Sequence, residues 1–345
     1  MNLYVHFPFC RSKCAYCALH SRAGSSVAER REYVARIACD LDRLFTATPD
    51  KTIATLYFGG GTPALCNLQP ILNRLAPHLS RTAEFTVELN PLDVTPLLLS
   101  QLRTGGVNRI SMGVQSLDDA VLREMTRPHT AAQALAAWQT IRDAGFDNAG
   151  IDLICGWPGK RRAGAIADTW KRTIDAAASL APDHCSVYTL ILEPGTRLAA
   201  DVEQGRMTLP SDDVALAELS AAEQALASAG LERYEISSFA KPGRECRHNL
   251  ATWRGEDYIG IGDGACSREG SAVSRVIFRL RLLKEGFDPE QAARDFPELA
   301  PRVAEWRATL DRFAAEGLLS VQRAAAYRLT RRGTEVCDTI LAELI

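Results

Sequence analysis

The stretch YVHFPFCRSKCAYC, from Tyr4 to Cys17, puts Cys10, Cys14 and Cys17 in C-x3-C-x2-C spacing directly after a short β-rich run. A run this tight brings three thiolates to one loop. Three thiolates can hold three irons of a cubane cluster and leave the fourth iron without a protein ligand, open to a small molecule; a cluster with four protein thiolates mostly passes electrons. Two other readings of the same residues stay open at this point. Zinc would ask for a fourth ligand, and His20, three residues beyond Cys17, could serve. A disulfide framework would ask for an oxidising compartment.

The chain around this loop has 345 residues, 46% hydrophobic and 24% charged, with a net charge of −2. That is ordinary for a globular protein of one large domain and a smaller one. The near-neutral balance gives no bulk pull toward nucleic acid or an anionic membrane surface. No basic segment leads into an apolar signal-like run, and no window approaches the roughly 18 apolar residues of a membrane span. The expected location is the cytoplasm, where the ten cysteines would be reduced.

Outward from the loop, β-rich runs alternate with amphipathic helical patterns. The strand expectations are 2–6, 53–58, 84–89, 108–113, 150–154 and 184–190. The helical ones are 27–45, 68–78, 96–104, 118–125, 131–144, 163–180 and 212–229. In the first helix Val27, Val34, Ile37, Leu41 and Leu44 share one face. Six β-α units imply a parallel sheet with right-handed crossovers, too few for a closed eightfold barrel. The expected fold is therefore α/β, an open partial (β/α)6 barrel, with the cysteine loop at the C-terminal ends of the strands, where such folds keep their working residues. Residues 231–237 are expected to be extended. Residues 244–268, rich in Gly and aromatics, read as a loop with tight turns. From about residue 275 the pattern is helical, and helix, short hairpin, helix is a winged-helix-like outline.

Other polar residues cluster at the predicted strand ends. YFGGGTP, residues 57–63, has three glycines that let backbone approach a ligand. Glu88 in TVELNP, Arg109 and Gln115 in NRISMGVQS, and Asp152 in GIDLICGWPG suggest a ring of polar groups around one mouth.

With these motifs the chain resembles the radical S-adenosylmethionine (SAM) superfamily. Within it the chain is similar to the oxygen-independent coproporphyrinogen oxidase family, most closely its heme-chaperone (HemW) branch. SVYTLILEPGT, RHNLATW, DYIGIGDGACS and the terminal EGLLSV and YRLTRRG belong to the same resemblance. It implies a radical SAM partial barrel over residues 1–200, an extension with a heme-binding HN motif over 201–270 and a helical, winged-helix-like domain over 271–345. It implies that Cys10, Cys14 and Cys17 ligate a 4Fe–4S cluster whose open iron takes the amino and carboxylate groups of SAM. Tyr4, Tyr16, Gly60, Gly61, Thr62, Glu88, Gln115, Arg127 and Asp152 match SAM-contacting positions. Carboxylates suit ribose hydroxyls and an ammonium, and a guanidinium suits a carboxylate.

Three features separate the branches. Leu19 stands where the oxidases carry a further cysteine, the chain begins only nine residues before Cys10, and His248-Asn249 in HNLATW resembles the chaperones' HNxxYW motif. His248 is thus the candidate axial heme ligand. Thr252 replaces that motif's tyrosine, and Cys266 stands where the branch usually has histidine, which raises the question whether Cys266 or Cys246 takes over a ligand's role. The implied function is a heme chaperone that holds a 4Fe–4S cluster, SAM and heme and passes heme to acceptor proteins; the alternative is a radical enzyme acting on a porphyrinogen or another organic substrate, fed by an electron donor. Arg323, Arg328, Arg331 and Arg332 near the C-terminus are read as a solvated face and not as a nucleic-acid site. No membrane span is expected, which leaves only peripheral contact with a membrane.

Overall fold

The computed structural model describes residues 1–158, 166–268, 272–321 and 326–345. Its centre is a nine-stranded sheet. In chain order its strands are β1 (Asn2–Phe7), β2 (Ile53–Gly60), β3 (Leu79–Leu89), β4 (Arg109–Gln115), β5 (Ala149–Cys155), β6 (His184–Thr189), β7 (Glu232–Arg233), β8 (Ser238–Ala240) and β9 (Tyr258–Ile261). Their order in space is β9-β1-β2-β3-β4-β5-β6-β8-β7. From β9 to β6 every pairing is parallel; β8 and β7 are antiparallel. The two outer strands are not paired with each other among the described residues, so the sheet is an open barrel.

Each of the six expected strands is present, with ends within a few residues except that β3 begins earlier, at Leu79. The main departure is β9. Residues 244–268 are not a simple loop: they form helix Arg247–Trp253 and then β9, which adds a parallel strand beside β1. Glycine hides this strand. Gly260 is required because a Cβ there would lie 2.3 Å from the Cys266 carbonyl oxygen, yet glycine weakens any strand pattern. The helix is hidden because its cap is not local, as described below. Residues 231–237 are extended only in part.

The sheet has two unlike faces. Leu3, Val5, Phe58, Val87, Met112 and Leu153 are buried against the helices that follow the strands. Those helices are α1 (Val27–Ala47), α2 (Gln69–Leu75), α3 (Pro96–Thr104), α5 (Ala131–Asp143), α6 (Asp168–Ser179) and α8 (Asp212–Ser228), whereas α4 (Asp119–Glu124) and α7 (Arg197–Glu203) pack in a separate apolar cluster with Ala15 of the cysteine loop; the expected start of α6 at 163–165 lies outside the described residues. Burying one such side chain stabilises the fold by about 1.5–3 kcal/mol. The alternate residues face the barrel interior and are polar: Asn2 and Tyr4, Thr55 and Tyr57, Glu84 and Glu88, Ser111, Asp152. Parallel strands covered by apolar layers on both faces read as continuous hydrophobic runs. The alternation in these strands therefore marks an interior built for polar ligands.

Helix α9 is Arg247–Trp253. Beyond it a second apolar cluster includes Leu280, Phe287, Trp306, Leu310 and Ile340, from short helices and the antiparallel hairpin β10 (Leu319–Val321) and β11 (Tyr327–Leu329). Arg323 lies outside the described residues. Arg331 bonds Ser220 and Arg332 bonds the Glu316 carbonyl, so these arginines are spent on intramolecular contacts.

Candidate functional site

The cysteine loop leaves β1 at its C-terminal end and is pinned on both sides. Ala15 donates to the Met125 carbonyl at 3.0 Å and accepts from Leu198 at 2.8 Å. Tyr16 meets Trp157 edge-on, with ring centroids 6.1 Å apart. Cys10, Cys14 and Cys17 are unpaired thiols, each partly exposed. Burial raises the Cys10 pKa, opposed by hydrogen bonds from the Ser21 and Thr62 hydroxyls. The glycine loop packs under it: a Cβ on Gly61 would lie 3.0 Å from Cys10 Sγ and 2.6 Å from the Phe9 carbonyl oxygen. Three soft thiols over a backbone cradle that only glycine permits suit an iron–sulfur cluster. His20 does not join them; its ring lies against Gly264, and its carbonyl is 2.8 Å from His6 Nε2.

Next to the thiols, Arg127 donates to Cys14 Sγ at 3.4 Å, to Asn90 Oδ1 at 2.5 Å and to the Gly113 carbonyl at 2.7 Å. Burial opposes its charge, but Tyr16 and Cys14 outweigh that and raise its pKa. Asn90 in turn donates to Thr62 Oγ1 at 2.8 Å. Gln115 (φ 68°) and Thr126 (φ 60°) adopt left-handed backbone, costly for residues with a Cβ. At Gln115 the β4–β5 register shifts, which re-aims its side chain into the mouth.

Glu88 accepts from Tyr57 Oη at 2.8 Å and from the Gly60 amide at 3.2 Å. Gly60 has φ 103°, and a Cβ on it would overlap the His6 ring at 2.4 Å. Burial, then the neighbouring Asp152, pushes the Glu88 pKa up to about 7. Burial also raises Asp152, against hydrogen bonds from Ser186 and Ser111. Tyr4 stacks on Tyr57 with centroids 6.1 Å apart and reaches His6 Nδ1 at 2.9 Å. Two carboxyls that resist ionisation, facing one opening, would be relieved by a cationic ligand such as an ammonium or sulfonium.

Of the expected site residues, the mouth thus gathers the three cysteines, Tyr4, Tyr16, Gly60, Gly61, Thr62, Glu88, Gln115, Arg127 and Asp152. Arg109 is a correction. The sequence reading puts it in the polar ring at the mouth, but it is the first residue of β4 and therefore lies at the opposite end, only 1% exposed. His248 is another: it is on helix α9, not a loop, and inside the barrel. Its Nδ1 is 2.9 Å from Thr55 Oγ1, and its ring lies against those of Tyr57 and Tyr4. Burial, with Arg109 nearby, lowers its pKa to about 4. Cys246 is buried with its pKa pushed up to about 12, which removes it as a ready thiolate, while Cys266 is exposed. Thr252 spends its hydroxyl on the His248 carbonyl at 3.0 Å. The residue missed from the sequence is Asn90. It follows β3 two positions after Glu88, and the period-two rule that selects Glu88 selects it too.

Comparison with known proteins agrees with this geometry. Residues 4–167 match the Radical SAM superfamily. The heme chaperone HemW of Mycobacterium tuberculosis (strain ATCC 25618 / H37Rv) is 34% identical over 271 residues, 76% of this chain and 68% of that protein. Heme chaperone HemW of Escherichia coli (strain K12) is 35% identical over 282 residues, 80% of this chain and 72% of that protein. Among solved structures, coproporphyrinogen III oxidase (HemN) from Escherichia coli, a radical SAM enzyme, superposes with a TM-score of 0.81 at 22% identity, over 99% of this chain and 89% of that one. At that identity the likeness establishes the fold.

Proposed function

Given that the chain belongs to the HemW family of the radical SAM superfamily, we propose that it is a heme chaperone that carries a 4Fe–4S cluster and SAM at the barrel mouth and hands heme to acceptor proteins. The observation that carries the reading is the set of groups that meet at the mouth, three thiols beside a guanidinium and two carboxyls of raised pKa. Cys10, Cys14 and Cys17 would hold the cluster. Glu88 and Asp152 would take up SAM's cationic groups and hydroxyls, Gly60, Gly61 and Thr62 its methionyl end, and Arg127 its carboxylate, with Tyr4, Tyr16 and Gln115 completing the wall. A cluster with an open iron supplies one-electron chemistry to SAM. The chain's own part is to orient the ligand, neutralise its charges and keep water out.

For heme, His248 is the candidate axial ligand. In the structure its ring is covered by Tyr4 and Tyr57, so ligation requires helix α9 or those rings to move. An anaerobic heme titration of the cluster-loaded protein tests the proposal. Stoichiometric uptake with a shifted Soret band is expected, weakened in His248→Ala. No uptake by the loaded wild type overturns the chaperone reading, and uptake unchanged in the variant overturns the assignment of His248. Conversion of coproporphyrinogen with SAM and a reductant would instead favour a radical enzyme.

A further inference from the structure

We propose that Tyr57 couples the two ends of the barrel: with SAM at the mouth this tyrosine is held over His248, so SAM and heme weaken each other's binding. The inference rests on the proposed function, with SAM at Glu88 and heme on His248.

Strand β2 carries the contact. Its inward-facing positions are Thr55, Tyr57 and Gly59, two residues apart. Thr55 Oγ1 lies 2.9 Å from His248 Nδ1, which leaves Nε2 as the nitrogen for iron. The Tyr57 ring lies against the same imidazole, with centroids 5.4 Å apart. Its hydroxyl donates to Glu88 Oε1 at 2.8 Å. A Cβ on Gly59 would lie 3.0 Å from Tyr57 Cε1 and 3.1 Å from the Glu88 carboxyl, so the backbone closes against both side chains. One tyrosine thus has its ring on the candidate heme ligand and its hydroxyl on a carboxyl of the mouth.

Tyr4 also covers His248, with ring centroids 6.4 Å apart, but its hydroxyl reaches His6 Nδ1 at 2.9 Å. Among the described residues, Tyr57 is the covering ring bonded to a carboxyl. Helix α9 is held at both ends, by the Glu84 carboxylate at its start and by the Arg254–Glu285 pair just past its last residue. Exposure of His248 therefore falls to the ring and not to the helix.

The sign of the coupling follows from the hydroxyl's bond. Burial favours the neutral Glu88 carboxyl, with a pKa of about 7. A cationic ligand beside it favours the carboxylate. A phenol donates to a carboxylate in a charge-assisted bond, roughly twice as strong as the neutral one. SAM thereby tightens the hold on Tyr57, and heme has a stronger bond to break before iron reaches His248. The net gain of a hydrogen bond to charge over a neutral one corresponds to about tenfold in affinity. Linkage makes the effect mutual, so heme weakens SAM by the same factor.

The test is an anaerobic heme titration of the cluster-loaded protein with and without saturating SAM, followed by the Soret band. Equilibrium dialysis of labelled SAM with and without heme supplies the reciprocal measurement. In the wild type SAM should weaken heme binding about tenfold, and heme should weaken SAM binding equally. Tyr57→Phe keeps the ring and removes the hydroxyl bond, whereas Glu88→Gln keeps an acceptor and removes the charge. In each variant the effect should fall below about twofold. Should Tyr57→Phe fail to fold, Glu88→Gln decides alone. A wild type whose heme affinity is unchanged or increased by SAM overturns the inference. So does a folded variant that keeps the wild-type effect, since two ligands that merely collide need no tyrosine hydroxyl. A wild type that takes up no heme, or binds no SAM, overturns the proposed function and the coupling with it.

Discussion

Glu84 and Glu88 are four residues apart on β3, face the same interior and do opposite work. Glu84 stands at the floor of the barrel. Its two oxygens accept the backbone amides of Arg247 and His248 at 3.0 and 3.1 Å, so it caps helix α9, and Cys246 Sγ is 3.7 Å away. Around it the floor is closed: His184 Nε2 is 2.9 Å from Tyr234 Oη, Thr55 bonds Asn2, and Arg109 keeps its charge against burial with Glu84 nearby. Glu88, nearer the mouth, has no helix to cap. It is held at a pKa of about 7 beside a second reluctant carboxyl, next to the left-handed backbone of Gly60. The same residue type is spent on the fold at one end and kept in reserve at the other. The difference lies in what each carboxylate touches, not in its strand or face.

The sharpest way to break this contrast is to remove each glutamate in turn. Glu84→Ala strips a capped helix of its buried acceptor and removes one of the charges that favour the buried Arg109 guanidinium. It should destabilise the apoprotein by about 3 kcal/mol, read as a lower midpoint in urea. Glu88→Gln, nearly the shape of the protonated side chain, should cost under about 1 kcal/mol on the same measurement.

The converse holds for the ligand. Glu88→Gln removes a carboxylate that a cationic ligand would ionise, and SAM binding should weaken about tenfold, the loss of one charge-assisted hydrogen bond. Equilibrium dialysis with labelled SAM on the cluster-loaded protein reads this directly. A Glu88→Gln protein that binds SAM like the wild type, or that unfolds as easily as Glu84→Ala, would erase the distinction between mouth and floor.

The mouth is more legible in the sequence than the floor, for physical reasons. Cys10, Cys14 and Cys17 need one another at short range, and Gly60 and Gly61 announce close backbone approach; such constraints leave local traces. Strand alternation exposes Glu88 and Asp152 in the same way. The floor is assembled from residues distant in sequence. No local capping rule marks the start of helix α9: its N-cap is Cys246, whose side chain caps nothing, and the cap arrives instead from Glu84, 164 residues before His248. Arg109 is misplaced although the strand expected at 108–113 already sets it at the N-terminal end, away from the mouth: NRISMGVQS spans both ends of one strand, and only Gln115 reaches the mouth. His248 looks like a loop residue for the same reason that its helix is hidden.

The two layers should also answer pH with opposite signs. The Glu88 carboxyl binds its proton more tightly when folded, with a pKa of about 7 against the ordinary 4.5. Between those values the native state holds more protons than the unfolded chain, so this group's contribution to stability falls as pH rises and levels off above pH 7. The His248 imidazole binds its proton more weakly when folded, at about 4 against 6.5. Its contribution is therefore fully present above pH 6.5 and is lost as pH falls toward 4. Melts of the apoprotein across this range, wild type against Glu88→Gln and against His248→Asn, separate the two. Each slope is bounded by one proton, about 1.4 kcal/mol per pH unit, and solvent at the mouth reduces the first further. Taken as wild type minus variant, the difference curve for Glu88→Gln should descend with rising pH and that for His248→Asn should climb. Both signs come from one cause, burial, which disfavours the charged form of an acid and of a base alike; a flat or inverted curve for either variant would mean that its group is not shielded from water in the folded protein.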